Sequence, residues 1–159
     1  MITIKSSPTA DTRSSHGESV SMSQLMKSSK QHINDVQNAM EFFQGKLAKA
    51  AEKHDYTKID SAGIREFHKS FSKGLKGDDF KAEPWFQRHI SEERHHLNDR
   101  VPDDVNLIDV FERIADVVMA GLGRTGKVVP DILDPQILVK AYENTINLLA
   151  KNVKITYEE

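Results

Sequence analysis

The sequence predicts an all-α protein, a single bundle of about five helices preceded by a disordered N-terminal tail. Two observations favour this fold class. Apolar residues recur at spacings of three and four over several long stretches, which is the pattern of a helix with one buried face. No stretch shows the convincing alternation of apolar and polar residues that marks a strand or a hairpin.

The N-terminal residues 1–21 are rich in serine and threonine and almost lack apolar side chains. Too little apolar surface is available there to offset the entropy of ordering the chain. We therefore expect a disordered tail, in which His16 has no role and whose removal leaves the fold intact. The helical domain then spans residues 22–159.

The first predicted helix runs from Met22 to about His54. Its apolar stripe consists of Leu25, Ser29, His32, Val36, Met40, Phe43 and Leu47. The second predicted helix covers about residues 60–72, with Ile64, Phe67 and Phe71 buried. The glycine-containing segment KGLKGDD that follows is predicted to be a loop.

Proline marks the start of two later helices. Pro84 suits the first turn of the third helix, which we expect to continue unbroken through Leu97 until NDRVPDD stops it. The fourth helix covers about residues 106–122. Asp134 can cap the fifth helix, with Pro135 at its first position. The residues expected to be buried on these last two helices are Leu107, Phe111, Ile114, Val118, Leu122, Leu138, Ala141, Tyr142, Ile146 and Leu149.

The composition limits the class of protein. A chain of 159 residues suggests one domain, and 38% hydrophobic with 29% charged residues is typical of a small soluble globule. No apolar run approaches the ~18 residues that span a bilayer, and the N-terminus lacks the apolar core of a secretory signal. We therefore expect a cytoplasmic protein without a membrane segment. The net charge of -2 gives no reason to expect general nucleic-acid binding.

The absence of cysteine restricts any metal site. Without thiolates the chain has neither disulfides nor a cysteine-ligated ion. A divalent metal would have to be held by imidazole and carboxylate groups, which suit Mn, Fe, Co, Ni, Zn or Mg. Seven histidines are present to supply the imidazoles.

Two histidines on the third helix share a helical phase. At about 100° per residue, His89 and His96 lie on one side with Glu93, whereas His95 is turned roughly a quarter turn away. Their separation is too long for joint ligation of one ion from an ideal helix, but it suits two ions, or one ligand and one orienting donor. A polar helix edge without any ligand is the alternative. The phase predicts that loss of His96 costs more metal than loss of His95.

The other candidate ligands lie on separate segments. His32 belongs to the apolar stripe of the first helix, and His54 and Asp55 follow at its end. Glu112 and Asp116 lie in an acidic strip on the fourth helix. Each alone is explained by a core histidine, a helix cap or a solvated face. Their order on successive amphipathic helices favours one shared metal site.

The ordered pattern H…HDxTK…HxxxxxHH…ExxxD, from His32 to Asp116, resembles the HD superfamily of metal-dependent phosphohydrolases. It resembles more closely a small family of uncharacterised, largely phage-encoded proteins of HD-like type. HDYTK is also similar to the HD-x-x-K form of cyclic-dinucleotide phosphodiesterases, although LNDRVPDD stands here where that branch has GYP after the histidine pair. The resemblance implies an HD-like helical domain that holds one or two ions.

The resemblance also implies roles for individual residues. The ligands implied for a first ion are His32, His54, Asp55 and Asp116. A second ion would be held by His89 with His95 or His96, bridged by Asp55. Lys58 would lie near a phosphate of the substrate.

The chemistry of such a set suits phosphoester hydrolysis. Divalent ions can lower the pKa of a bound water and polarise a phosphoryl oxygen. Lys58 would add a positive charge for phosphate, and Glu93 or Glu112 could orient a ligand or move a proton. The leading hypothesis is a metal-dependent phosphohydrolase acting on a nucleotide or another small phosphoester. The alternatives are a phage-derived module that sequesters a nucleotide without turnover, and a structural protein whose histidines never meet. The oligomeric state is left open.

Overall fold

The structure, a computed structural model, describes residues 1–7 and 21–157. Its elements in chain order are β1 (Ile2–Ser6), α1 (Met22–Lys53), α2 (Tyr56–Ile59), α3 (Gly63–Ser72), α4 (Gly77–Lys81), α5 (Pro84–Glu92), α6 (Leu107–Thr125), α7 (Pro135–Ala150) and β2 (Val153–Tyr157). The described chain is mostly helical, which confirms the predicted fold class. Within these ranges no helix is both long and apolar enough to cross a membrane.

Two compact units make up the chain. One comprises Met1–Lys46 and Ile146–Glu159, and the other comprises Leu47–Thr145. The first unit contains both strands and most of α1, whereas the second contains α2 to α6. Every predicted site residue except His32 belongs to the second unit.

A short parallel sheet in the first unit is absent from the sequence prediction. β1 pairs with β2 in a register that starts with Ile2 opposite Val153, and the Gln31 side chain of α1 donates to the carbonyl oxygen of Lys5 at 2.7 Å. The prediction of a disordered tail is therefore wrong for β1. Each strand has only 5 residues, too few for a clear alternation, and its partner lies at the other end of the chain. The rest of the predicted tail, including His16, lies outside the described residues.

The first helix begins and ends close to the predicted positions. Ser21 Oγ accepts from the backbone N–H of Gln24 at 3.2 Å, and Gln24 Oε1 accepts from the backbone N–H of Ser21 at 2.9 Å. This reciprocal pair satisfies two N–H groups that the start of a helix leaves without partners. α1 then runs for 32 residues to Lys53. His54 and Asp55 follow it directly.

The third predicted helix is shorter than expected. Pro84 occupies its first turn, but α5 ends at Glu92, and Glu93 has an extended backbone with φ -92° and ψ 108°. The expected helix through Leu97 is therefore wrong. Side chains fix the following segment against α6: Arg94 donates to both carboxylate oxygens of Asp109 at 2.8 and 2.9 Å. Interactions of this kind, between distant parts of the chain, leave no trace in helical periodicity.

The predicted loop KGLKGDD is also partly wrong, because α4 begins inside it at Gly77. The second predicted helix corresponds to α3, which begins at Gly63 and ends at Ser72 as expected, and α2, a short helix that the sequence did not predict, precedes it. α6 and α7 agree with the prediction, and α6 starts with a capping box formed by Asn106 and Asp109. Asn106 accepts from the backbone N–H of Ile108 at 3.0 Å, and Asp109 accepts from that of Asn106 at 2.9 Å.

The second unit has a small apolar core. Its buried residues are Leu97, Val105, Val110 and Ala141, with Leu107, Leu133 and Ile137 packed against them. A separate aromatic cluster surrounds Trp85, whose ring stacks on Phe67 with 4.3 Å between centroids. Many apolar side chains that the sequence predicts to be buried are instead exposed. They include Leu25, Val36, Met40, Ile64, Phe71, Phe111, Ile114, Leu122, Leu138, Tyr142 and Ile146.

Candidate metal centre

Imidazole and carboxylate groups from three segments of the second unit meet in one cluster. The segments are the turn after α1, the end of α5 with the residues that follow it, and α6. Three overlapping sets have ligand atoms within 4.8 Å of one another: His54, His95 and Glu112; Asp55, His89 and His96; and His54, Asp55 and Asp116. We refer to these seven residues together as the histidine–carboxylate cluster.

Asp55 is the carboxylate shared by most of the cluster. Its Oδ2 atom lies 3.5 Å from His54 Nε2, and its Oδ1 atom lies 3.6 Å from His89 Nε2 and 3.7 Å from His95 Nε2. The backbone of Asp55 is left-handed, with φ 56° and ψ 23°. Aspartate tolerates this conformation better than most residues. The turn separates α1 from α2.

Glu112 lies behind two of the imidazoles. Its Oε1 atom is 2.9 Å from His54 Nδ1 and 3.0 Å from His95 Nδ1. The contact with His54 is a hydrogen bond, whereas the contact with His95 has the distance of a hydrogen bond without its direction. With both Nδ1 atoms next to Glu112, the Nε2 atoms are directed towards Asp55 and Asp116. A carboxylate behind an imidazole commonly holds a metal-ligating histidine in orientation.

Asp116 completes this part of the cluster from α6. Its Oδ1 atom lies 3.8 Å from His54 Nε2, and its Oδ2 atom lies 3.9 Å from His95 Nε2. Ligands that surround a tetrahedral ion at roughly 2.1 Å are about 3.4 Å from one another. The spacing between these nitrogens and oxygens therefore suits the ligands of a divalent ion.

Among the described residues, two polar atoms that face each other in the cluster are buried without a hydrogen-bond partner. They are Asp55 Oδ1 and His95 Nε2, which lie 3.7 Å apart. Native proteins pair nearly all such atoms, and each one left unpaired costs ~1–3 kcal/mol. A cation between them would satisfy both. The residues present thus fit a bound metal ion.

His89 and His96 form the other side of the cluster. Their Nε2 atoms are 2.8 Å apart, and Asp55 is next to them. Behind His89, its Nδ1 atom lies 2.7 Å from the hydroxyl oxygen of Thr57. Glu93 accepts from that hydroxyl at 2.7 Å and from the backbone N–H of Thr57 at 3.0 Å. Glu93 is therefore bound to Thr57 rather than directed at the ligand atoms.

Burial keeps these two imidazoles neutral. It combines with the repulsion that His89 would meet from Lys58 and from His96, were both imidazoles protonated, to lower the pKa of His89 to about 3. Burial and the neighbouring His95 lower the pKa of His96 to about 4. Neutral imidazole is the form that binds a metal ion, so neither side chain has to change its charge in order to ligate.

Two carboxyl groups of the cluster, those of Asp55 and Glu112, have pKa values below their ordinary range. Burial opposes the charge of Asp55, but the ion pair with Lys58 and the nearby His54 outweigh it and lower the pKa of this carboxyl. Burial opposes the charge of Glu112 in the same way, and contacts with His95 and His54 lower its pKa. For His95, burial is outweighed by the contact with Glu112, which raises the pKa of the imidazole. The cluster thus offers negative charge to a cation.

Lys58 lies at the edge of the cluster. Its Nζ atom forms an ion pair with Asp55, and the side chain is 34% exposed. Lys58 also borders a cleft of about 610 Å³, to which His54, Asp55, Glu112 and Asp116 contribute. A positive charge therefore stands where an anion in the cleft would approach the carboxylates.

The structure corrects the predicted orientation of His95. Helical phase predicts that His95 turns away from the site, but this side chain is 1% exposed and lies against Asp55, Glu112 and Asp116. The prediction fails because α5 ends before His95. The predicted meeting of His96 with His89 is observed.

His32 belongs to a different unit from the other predicted ligands. It lies on α1 in the first unit and is exposed. It belongs to none of the ligand sets found within residues 1–7 and 21–157. Its role as a ligand stays a prediction from the sequence.

Sequence reasoning missed two residues that support the cluster. Thr57 is fully buried against His89, and its position inside HDYTK, two residues after Asp55, was an available signal. Arg113 donates to the carbonyl oxygen of His95 at 3.4 Å and pairs with Asp131 at 2.7 and 2.8 Å. No feature of the sequence marks Arg113 for this role.

The site is thus defined by its own geometry. Buried and half-buried histidine and acidic side chains form a cluster that could hold a metal ion. The ligand types suit hard to borderline divalent ions. Comparisons of the chain with protein-family models, with curated proteins and with solved structures find no match.

Proposed function

We propose that the protein is a metal-dependent phosphohydrolase that acts on a nucleotide or another small phosphoester. The observation that carries the proposal is the pair of atoms Asp55 Oδ1 and His95 Nε2. They are buried 3.7 Å apart, without hydrogen-bond partners in the described part of the chain, inside a cluster of imidazoles and carboxylates. The order of these residues along the chain, which resembles that of the HD superfamily, supports a phosphoester as the bond that is cleaved.

The residues of the cluster would act as the ligands of one or two ions. The side chains that would hold a first ion are His54, Asp55, His95 and Asp116, and those that would hold a second ion are His89 and His96 with the shared Asp55. A bound divalent ion supplies a Lewis acid that activates water and polarises a phosphoryl oxygen.

Two further residues would act on the substrate side and behind the ligands. Lys58 Nζ, paired with Asp55 at the cleft, provides a positive charge for phosphate oxygens. Glu112 forms a hydrogen bond with His54 Nδ1 and lies 3.0 Å from His95 Nδ1, so the Nε2 atoms of both rings are directed at the aspartates. Its substitution should therefore disturb metal binding before it disturbs any proton transfer.

Metal content is the first test. Protein without a histidine tag is loaded with Mn²⁺, dialysed and measured by elemental analysis. We expect stoichiometric metal in the natural chain and in His68→Ala, since His68 is exposed on α3, and loss of metal in His95→Ala. A natural chain without metal would refute the site.

Turnover is the second test, and it separates the proposal from the sequestering alternative. The Mn²⁺-loaded protein is incubated with nucleotides, cyclic dinucleotides and aryl phosphoesters, and released phosphate or product is measured. The proposal expects turnover that stops when the metal is chelated. Tight nucleotide binding without turnover would support the sequestering module instead.

A further inference from the structure

The cleft beside the histidine–carboxylate cluster has two chemically different parts. Its polar lining consists of Lys58 and four members of the cluster. The remaining lining is apolar and consists of four alanines with Leu47, Phe111 and Met119. The volume of about 610 Å³ exceeds what a phosphate group needs and lies in the range of pockets that hold drug-sized molecules.

The sequence builds this division from helical spacing. On α6, Phe111, Ala115 and Met119 are four residues apart, and Glu112 and Asp116 follow the first two directly. An apolar stripe therefore runs beside the acidic ligands. Such a stripe is normally covered by the core, but Phe111 is 55% and Met119 65% exposed. The apolar part of the lining, which we call the apolar wall, is thus open to a ligand.

The apolar wall offers no hydrogen bonds. Among the described residues that line the cleft, none outside Lys58 and the cluster carries a hydrogen-bonding side chain. The backbone groups inside α1 and α6 are used within the helices. The polar edge of a nucleobase would lose its hydrogen bonds to water there without gaining new ones. An aromatic ring or an alkyl chain has no such groups to lose, and it would cover exposed apolar surface.

We infer that the apolar wall holds the organic part of the substrate, and that this part is an apolar group attached to the phosphate. The inference rests on the proposed function, because it places the phosphate next to Lys58 and the cluster. A nucleotide bound in this cleft is recognised by its phosphate and by contact with the face of its base. The four common bases are therefore accepted about equally.

Binding of phosphonates tests the inference without any need for turnover. The full chain loaded with Mn²⁺ is titrated with methylphosphonate, phenylphosphonate and butylphosphonate in a calorimeter. We expect the phenyl or the butyl compound to bind at least about tenfold more tightly than the methyl compound, which corresponds to ~1.4 kcal/mol. The phenyl and butyl arms show whether the preferred group is a ring or a chain.

A matched pair of variants ties the preference to the cleft. Ala115→Leu fills the space between Phe111 and Met119 and should abolish the preference while leaving the metal content unchanged. Ala48→Leu adds the same group at an exposed position of α1 that does not line the cleft, and it should keep the preference. Met119→Gln is a second variant at an exposed position, where folding is not at risk, and it should weaken the preference. If both cleft variants keep the preference of the natural chain, the inference is wrong.

The outcomes distinguish the inference from the function on which it rests. Equal binding of the three phosphonates by loaded protein would overturn the inference and leave the phosphohydrolase proposal standing. Loaded protein that binds none of them would overturn the inference and the phosphoester part of the proposal. Protein that takes up no Mn²⁺ would overturn both. A difference among the four nucleoside monophosphates of more than about tenfold would show that base edges are read, against the inference.

Discussion

The ring of His89 and the hydroxyl of Thr57 form a buried hydrogen bond that decides which nitrogen of His89 can bind metal. The Thr57 hydroxyl donates its single proton to Glu93, so its oxygen can only accept from His89 Nδ1. The proton of the neutral ring therefore stays on Nδ1. The lone pair of Nε2 is left on the side of Asp55 and His96.

Thr57→Val keeps the shape of the side chain but removes this hydrogen bond. We expect Mn²⁺ affinity to fall roughly 10- to 100-fold, as when other groups behind a metal ligand are lost. We also expect a loss of stability of ~1–3 kcal/mol, because Glu93 stays buried without its hydroxyl donor. Thr57→Ser retains the hydroxyl and should retain both properties. Calorimetric titration and urea unfolding measure them, and unchanged affinity in Thr57→Val would show that Thr57 does not control His89.

Helical phase predicts that His96 matters more than His95 for metal binding, but the position of His95 in the structure reverses this expectation. His95→Ala removes an imidazole that lies against Asp55, Glu112 and Asp116. His96→Ala removes one whose close partner is His89. We expect His95→Ala to lose at least as much bound Mn²⁺ as His96→Ala, with His68→Ala as the control. Metal loss confined to His96→Ala would contradict the position of His95 in the structure.

Metal-free protein should become less stable in acid because of His89. Its pKa is about 3 in the folded chain, against the ordinary value of 6.5 expected after unfolding. Below pH 6.5 the unfolded chain therefore binds a proton that the folded chain does not, so stability decreases as the pH falls towards 3. This one group contributes a slope of up to about 1.4 kcal/mol per pH unit.

His89→Gln removes the titrating group and should flatten this part of the pH dependence. Urea unfolding in the presence of a chelator, between about pH 4 and pH 7, provides the measurement. His68→Gln, at an exposed position, should leave the slope as it is. The idea fails if the slopes of the natural chain and His89→Gln are the same.

Gly63 lies so close to the backbone of Thr57 that any side chain at this position would clash with it. A Cβ atom at this position would lie 1.8 Å from the carbonyl oxygen of Thr57 and 2.9 Å from Asp60 Oδ1. Gly63→Ala should cost at least about 1–3 kcal/mol of stability and weaken metal binding through the displaced Thr57. Gly45→Ala is the control: apart from its chain neighbours and the nearby backbone of α1, no described atom lies within 4 Å of its Cβ, and it should stabilise α1 by ~0.5–1 kcal/mol. Equal melting temperatures for the two variants would refute the close approach.

Deletion of residues 1–7 tests the strand that the sequence did not predict. Ile2 is buried, and β1 contributes all the ladder partners of β2. We expect the melting temperature to fall by several degrees, since each kcal/mol is worth roughly 2–4 °C in a chain of this size. Thr3→Ser, an exposed substitution in β1, should have little effect. A deletion that melts like the full chain would restore the original expectation that the N-terminus does not pack.

The sequence predicted helices well where their start is chemically marked. Pro84 and Pro135 both stand at the first position of a helix, and His54 follows the end of α1 as expected. The order of histidines and acids along the chain indicated the residues that meet in the cluster, but it also included His32, which belongs to none of the ligand sets among the described residues. The end of α5 was not predicted from the sequence, because Arg94 and Arg113 hold the next segment through contacts with α6 and its surroundings.

Burial was the other point at which sequence patterns failed. A periodic apolar stripe shows that one face of a helix differs from the other, but it does not show that another element covers that face. Phe111, Ile114 and Tyr142 fit their stripes and are nevertheless largely exposed. The pairing of β1 with β2 also has no local sequence pattern, because each strand depends on a partner at the far end of the chain.

Position 55 has to satisfy two separate requirements, one on the backbone conformation and one on the charge of the side chain. The conformation, with φ 56°, is best tolerated by glycine, asparagine and aspartate. The position between three imidazoles requires a carboxylate. Asparagine meets the first demand and glutamate meets the second, so Asp55→Asn should fold without binding metal, whereas Asp55→Glu should keep the charge in a strained turn. We therefore expect aspartate to be kept at this position in any lineage that uses the metal. In a lineage that has lost the metal, we expect substitution by asparagine or glycine.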